Sequence, residues 1–236
     1  MRPEVVGFVP SKLNSQRLPR KNVRPLGGVP LINYALDTLS NAADVDDVVV
    51  YASDPEVMDH VTAAGCRYVQ RPVALDANDA SVQDFVNGFI ADVAADVIVL
   101  LHATSPFIRT ETIERCVDEV VSGRHRSAFA ALQMRRFAWY GAAPLNYRLD
   151  RPTPRTQDLQ PVLIEQSGCY VFTRELFTST QRRIDDDPYI CFVDELEGHD
   201  IDTAIEFEMA EALLPLVASA DDARRRLGQA VAARSS

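Results

Sequence analysis

Short, unbroken apolar runs alternate along this chain with longer stretches whose apolar residues recur every three or four positions. The runs are Val5–Val9, Asp47–Tyr51, Cys66–Val69, Asp96–Leu101 and Ser127–Leu132. Apolar residues in succession, rather than on every second position, predict strands buried on both faces, as in a parallel sheet. Helical spacing predicts a helix from Pro30, with Leu31, Tyr34 and Ala35 on one face, and another from Pro55 through Ala64 capped by Ser53 or Asp54. It predicts two more over residues 80–95 and from Thr110 to Val121, the second stopped by Gly123. Strand and helix alternate throughout, which predicts an α/β fold with a doubly wound, mostly parallel sheet.

The alternation fails between Gln133 and Gln166. That segment holds five arginines, the prolines 144, 152, 154 and 161, and the aromatic residues Phe137, Trp139, Tyr140 and Tyr147. It is too aromatic for a loose linker and too irregular for another strand–helix unit. An excursion that packs on a partner subunit or folds over a ligand is expected. Sheet signals resume at Cys169–Phe172 and Tyr189–Val193, followed by helical patterns over Thr203–Val217 and residues 221–233. Residues 1–236 read as one domain carrying an inserted arm over residues 133–166.

Charge changes this picture at one place. The chain has 34 acidic residues and a net charge of -10, yet residues 5–36 contain no Asp or Glu. Within that interval Lys12, Arg17, Arg20, Lys21 and Arg24 cluster in the loop between the first strand and the first helix. A strand, a basic loop and a helix at the start of an α/β sheet form an anion-binding arrangement. A pI near 4.9 argues against nucleic acid as a partner. No apolar run is long enough to span a membrane. Met1–Glu4 pass directly into the first strand, which predicts no secretory leader. Cys66, Cys116, Cys169 and Cys191 are far apart and form no CxxC pair, so reduced thiols in a cytoplasmic protein are expected.

Ligands of open α/β sheets sit beyond the carboxyl ends of the strands. That rule gathers Pro10–Asn22, Ser53–Asp54, Arg71, His102–Ser105 and Asp200–Asp202 at one rim. The sequence has no P-loop, no GxGxxG after the first strand, no GxSxG and no HExxH. A basic loop facing paired carboxylates suits a nucleoside triphosphate with Mg²⁺. In extended chain Asp200 and Asp202 point to one side while Ile201 turns inward, and hard oxygen ligands of that kind suit Mg²⁺. Helix capping competes for this stretch, because Thr203–Glu206 forms a capping box on its own. The cap accounts for Thr203 and Glu206 but not for two carboxylates ahead of them. His102 is a general base, a substrate donor or a polar strand-end residue, and is given no catalytic role.

These residues resemble the acylneuraminate cytidylyltransferase family, the CMP-sugar synthetases. Pro10-Ser11-Lys12-Leu13-Asn14-Ser15-Gln16-Arg17-Leu18-Pro19-Arg20-Lys21-Asn22 is similar to the family's first motif. Arg71-Pro72 with Asn78-Asp79-Ala80-Ser81, and Leu101-His102-Ala103-Thr104-Ser105-Pro106, resemble its second and third. Arg155-Thr156-Gln157-Asp158-Leu159, Ser167-Gly168 and Asp200-Ile201-Asp202-Thr203 follow in the family's order.

The resemblance implies a Rossmann-like nucleotidyltransferase fold with a dimerisation arm. It also implies the reaction of CTP with an acidic sugar to give a CMP-sugar and pyrophosphate. By position, Lys12, Arg17 and Lys21 are the implied catalytic cations. Pro10, Ser11, Lys12, Asn14, Ser15, Asn22, Arg71 and Ser81 are the implied nucleotide-binding residues. His102, Thr104, Arg155, Gln157 and Ser167 would meet the acceptor, with Arg155 facing its carboxylate across a homodimer interface. Asp200 and Asp202 would hold Mg²⁺. The chain departs from the family pattern at Lys12 for Arg, Gln16 for Lys, His102 for Gln and Ser167 for Asn. The nucleotide half of the motif set is thus better kept than the acceptor half. Two other readings stay open, a different acidic acceptor and an inactive nucleotide-binding relative; pyrophosphate release separates active from inactive.

Overall fold

Seven strands make one sheet: β1 (Val5–Ser11), β2 (Asp47–Ala52), β3 (Cys66–Gln70), β4 (Val97–Leu101), β5 (Ser127–Met134), β6 (Val162–Thr173) and β7 (Tyr189–Val193), in the spatial order β7-β5-β6-β4-β1-β2-β3. The structure, a computed structural model, describes residues 2–77 and 79–232, with side chains to Ser219. Asn78, part of the segment after Arg71, and residue 233 of the expected last helix lie outside the described residues.

All neighbouring strands are parallel except where β6 lies between β4 and β5, antiparallel to both. Mostly parallel pairing follows from runs such as Val97–Leu101, every residue of which is buried. The helices α1 (Ile32–Ser40) and α3 (Thr110–Val121) cover one face, packing Ile32, Leu36, Ile113 and Val117 on Val5, Val50 and Val99. On the other face lie α2 (Val82–Asp92) and α4 (Arg174–Thr180), where Phe89 stacks on Phe8 with ring centroids 3.9 Å apart. A third apolar cluster joins Leu18 and Leu26 of the basic loop to Phe107, Ile201 and Phe207. It clamps the basic loop and the Asp200–Asp202 segment to one end of the sheet.

Several expected elements differ. The first helix starts at Ile32 rather than Pro30, because Pro25–Leu26 and Val29–Pro30 pair as a hairpin around Gly27 and Gly28. Both glycines have positive φ, 57° and 86°, as a two-residue hairpin turn requires. Residues 55–64 form only a short 3₁₀ helix, Pro55–His60, capped by Asp54. Beyond it the Asn33 side-chain oxygen accepts the N–H groups of Thr62 and Ala63, which holds that backbone out of a helix. The strand expected to resume at Cys169 instead begins at Val162, so the end of the excursion is part of the sheet. The two expected C-terminal helices are one, α5 (Ala204–Ala232), which runs on through Pro215; no Gly or Pro interrupts residues 216–222. The excursion itself contains a hairpin of Trp139–Tyr140 with Ala143–Pro144 and a 3₁₀ turn at Thr156–Asp158.

Candidate active site

The chain passes from β1 to β2 on one side and later returns to β4 on the other, so the sheet's switch point lies between β1 and β4. A cavity of about 520 Å³ opens there at the carboxyl ends of the strands. That position and size are those of a small-molecule site in an open α/β sheet. Pro10, Ser11 and Lys12 reach it from β1; Ser15, Arg17, Lys21 and Asn22 from the basic loop; Arg71 from just beyond β3; His102 and Thr104 from the end of β4; and Asp202 from across the rim.

The basic loop is held by its own polar groups. Asn22, buried, donates to the Ser11 hydroxyl at 3.2 Å and to the Lys12 carbonyl at 3.4 Å, closing the loop on itself. Arg20 takes the left-handed backbone conformation, φ 54°, immediately before Lys21. Lys21 Nζ then donates to the Ile201 carbonyl at 2.7 Å and to Asp202 Oδ1 at 2.9 Å. Arg17 meets Asp202 Oδ2 at 2.9 Å. Partial burial pushes the Asp202 carboxyl up, but the hydrogen bond and charge of Lys21 with the charge of Arg17 outweigh it and hold the group below the usual carboxylate range.

At the other side of the cavity Arg71 is 4% exposed and pairs with Asp76 at 2.7 Å. Asp76 also accepts from Ser53 at 2.5 Å, while its backbone carbonyl accepts from Lys12 Nζ at 2.9 Å. The Arg71 Nε is buried without a hydrogen-bond partner among the described residues. Asp76 thus organises three site residues. Sequence reasoning missed it because its partners lie in segments that only the fold brings together.

Of the expected carboxylate pair, Asp202 alone lines the cavity, while the turn of Ile201 into the core is as the alternation implied. Ile201 is fully buried and its N–H donates to the Thr104 carbonyl, fixing the segment to the end of β4. Asp202 faces the cavity, while Asp200 accepts hydroxyl hydrogen bonds from Ser105 at 3.2 Å and Ser167 at 2.8 Å. The capping box is present too: the Glu206 carboxylate accepts from the N–H groups of Asp202 and Thr203, and Thr203 Oγ1 caps the Glu206 N–H. Cap and carboxylate pair therefore coexist. Among the described residues no group of three or more His, Cys, Asp or Glu is placed to hold a metal. Two hard carboxylates beside a cavity still fit Mg²⁺, which takes one or two of them and fills its remaining positions with phosphate oxygens and water.

His102 lines the cavity at the end of β4. Its ring is half-buried and packs edge-on to Phe85, with centroids 6.2 Å apart, and its Nε2 is sealed from solvent without a hydrogen-bond partner among the described residues. Burial, aided by the positive charge of Arg183, lowers its pKa to about 4. The ring is therefore neutral near pH 7, able to donate or accept one hydrogen bond. Behind it, buried Gln166 bridges the Ser105 hydroxyl and the Gly168 N–H. A Cβ on Gly168 would stand 2.0 Å from Ser105 Oγ, so the Ser105–Asp200 contact depends on glycine there. Ser105 lies inside the motif after β4 but was given no role, and Gln166 carried no sequence signal beyond neighbouring Ser167-Gly168.

Other expected site residues lie off the cavity. Asn14 is exposed. Ser81 caps α2, with its hydroxyl donating to Asp84 at 2.7 Å and accepting the Asp84 N–H at 3.2 Å. Ser167 and Asp200 form their pair beside the lining. Arg155 and Gln157 are exposed on the arm, and Arg155 holds its own Asp158 through two hydrogen bonds of 2.7 and 3.1 Å.

Comparison with known proteins identifies the family and the fold. The cytidylyltransferase family profile matches residues 6–153. A CMP-N,N'-diacetyllegionaminic acid synthase of Legionella pneumophila is 25% identical over 229 residues, covering 90% of this chain and 97% of that protein. An N-acylneuraminate cytidylyltransferase of Oncorhynchus mykiss is 24% identical over 180 residues, 72% of this chain but 41% of that longer protein. Among solved structures, a CMP:2-keto-3-deoxy-manno-octonic acid synthetase in complex with CTP superposes with a TM-score of 0.67 at 19% identity, over 90% of this chain and 99% of that one. That likeness establishes the α/β nucleotidyltransferase fold.

Proposed function

This chain belongs to the cytidylyltransferase family, and from that premise we propose that it transfers CMP from CTP to a hydroxyl of an acidic sugar, releasing pyrophosphate. The observation that carries the reading is the cation–carboxylate cluster of Lys21, Arg17 and Asp202 at the mouth of the switch-point cavity. Lys12, Arg17 and Lys21 hold the triphosphate and stabilise charge on the departing pyrophosphate, with backbone and hydroxyl support from Ser11 and Ser15. Arg71, with one free buried N–H, faces the nucleoside. The acceptor enters by His102 and Thr104 and is positioned for in-line attack on the α-phosphorus. Asp200 and Asp202 would hold Mg²⁺, which when bound neutralises phosphate charge.

The arm supports a homodimer. Trp139, Tyr140, Leu145 and Leu149 are 51%, 83%, 57% and 69% exposed, an apolar surface that a two-fold partner would bury. Such packing would bring Arg155 to the mouth of the other subunit's acceptor site. Light scattering at micromolar concentration is expected to give twice the 26.2 kDa chain mass, and a monomeric mass would refute the dimer. Four free thiols and no helix long and apolar enough to cross a membrane among the described residues suit the cytoplasmic setting we propose.

The decisive assay is pyrophosphate release from CTP against N,N'-diacetyllegionaminic, N-acylneuraminic and 3-deoxy-manno-octulosonic acids. Turnover with at least one acid, and preference for CTP over UTP, is expected. Turnover with none of them, or equal kcat/KM for UTP, contradicts the reading.

A further inference from the structure

Cations near the cavity are nearly all matched by carboxylates or carbonyls. Arg183, outside the lining itself, is different. It lies between α4 and β7, half-buried, and its guanidinium carbon stands 3.6 Å from the centroid of the Tyr170 ring. Among the described residues no carboxylate lies within ion-pairing distance of it. The acids that follow it are engaged elsewhere, Asp185 with Arg126 at 3.6 Å and Asp186 with Arg182 at 2.7 Å.

The ring beneath it is rigid. Tyr170 is 1% exposed and its hydroxyl donates to Glu165 at 2.8 Å. In the sheet Tyr170 is paired with Leu100, two residues before His102, so both side chains stand on the α2 side at the end of β4. Arg183 is also the charge that acts most strongly on the His102 ring. A half-buried cation without a counter-ion gains from an anion that joins it, more than a fully solvated one does. A guanidinium lying on an aromatic face leaves its edge N–H groups free in the plane, the geometry that takes a carboxylate with two parallel hydrogen bonds.

We propose that Arg183 binds the carboxylate of the sugar acceptor within the same chain, with His102 contacting a neighbouring oxygen. The assignment rests on the acidic-sugar reading given above and adds the residue that makes an acid the preferred acceptor. It differs from the role proposed for Arg155, which comes from the arm already holding Asp158 through two hydrogen bonds. Arg183 has no such bond to exchange.

The test uses the full chain, CTP and whichever acid of the panel turns over best, alongside the same sugar with its carboxylate converted to the primary amide. Wild type should favour the acid by about a hundredfold in kcat/KM, the scale of a lost charge-assisted pair. Arg183→Gln should raise the acceptor KM and shrink the acid-to-amide ratio by about tenfold or more, with KM for CTP unchanged. Arg183→Lys, which keeps stem and charge but loses the fork, should fall between. A rise in Tm on adding CTP confirms that each variant keeps its nucleotide site, and Arg183→Lys decides if the Gln variant does not fold. An unchanged ratio in the folded variants overturns the assignment while wild-type turnover leaves the acidic-sugar reading standing. If wild type turns over none of the acids, both fail.

Discussion

The two ends of the cavity are prepared for their ligands in opposite ways. At the end proposed for the nucleotide every cation already has a polar partner: Lys21 and Arg17 share the Asp202 carboxylate, Arg71 holds Asp76, and Lys12 holds a backbone carbonyl. At the end proposed for the acceptor, among the described residues His102 Nε2 has no hydrogen-bond partner and Arg183 no ion pair. A polyanion arriving at the first end exchanges existing ion pairs for its own. A small acid at the second fills positions that are empty. The difference teaches that a matched charge cluster can stay folded while it waits for a highly charged ligand. Unmatched groups survive only when they are few and packed on rings such as Tyr170 and Phe85.

The comparison breaks most severely at Asp202. Asp202→Asn leaves Lys21 and Arg17 without a full counter-charge and removes one of the two carboxylates proposed for Mg²⁺. Turnover should fall about a thousandfold, roughly 4 kcal/mol, with circular dichroism unchanged. Near-normal turnover at saturating Mg²⁺ would show that the matched end is only structural.

Gly168 backs the end of β4, its carbonyl accepting the His102 N–H at 2.8 Å. Gly168→Ala drives a methyl group into Ser105 and should cost about 1–3 kcal/mol of stability, several degrees in Tm. Because Ser105 and Ser167 both hold Asp200, turnover should drop as well, and Gly168→Ala combined with Ser105→Gly should recover part of the Tm. Absence of recovery would mean that the strain is relieved elsewhere.

The smallest effect sharpens the contrast through pH. The pKa of His102 is about 4 in the folded chain against 6.5 ordinarily, so the unfolded state binds the extra proton between those values. Stability contributed by neutral His102 is complete above pH 6.5 and is lost as pH falls toward 4, by at most about 1.4 kcal/mol per pH unit. His102→Gln should therefore lose less Tm than wild type between pH 6.5 and pH 4.5. Parallel curves would mean that the ring is not buried in its neutral form.

Much of this was legible in the sequence. The runs Val97–Leu101 and Tyr189–Val193 and the helix Thr110–Val121 appear at or within a residue of their expected bounds, because each carries an unambiguous period and a clear stop. The reversal of β6 was not legible, since apolarity says where a strand is buried but not which way it runs. The Gly27-Gly28 pair between Leu26 and Val29 is a hairpin signal, and it overrides the helix-start preference of Pro30. At the site, the basic loop and the Asp pair were readable from local charge. Asp76, Gln166 and Arg183 were not, because each gains its role from residues distant in sequence that only the sheet brings close.

The reversed strand has a consequence for how this protein can change. Met134 at the end of β5 is paired with Val162 at the start of β6, so the arm leaves the sheet and returns to it at one point on the catalytic rim. A parallel β6 would have required a crossover to the far edge. The arm is instead a tether with both ends fixed side by side, free to lengthen, shorten or exchange its aromatic residues without shifting any strand. The subunit pairing and acceptor contacts proposed for the arm can change there by insertion and deletion, while the strands that carry the cavity keep their places.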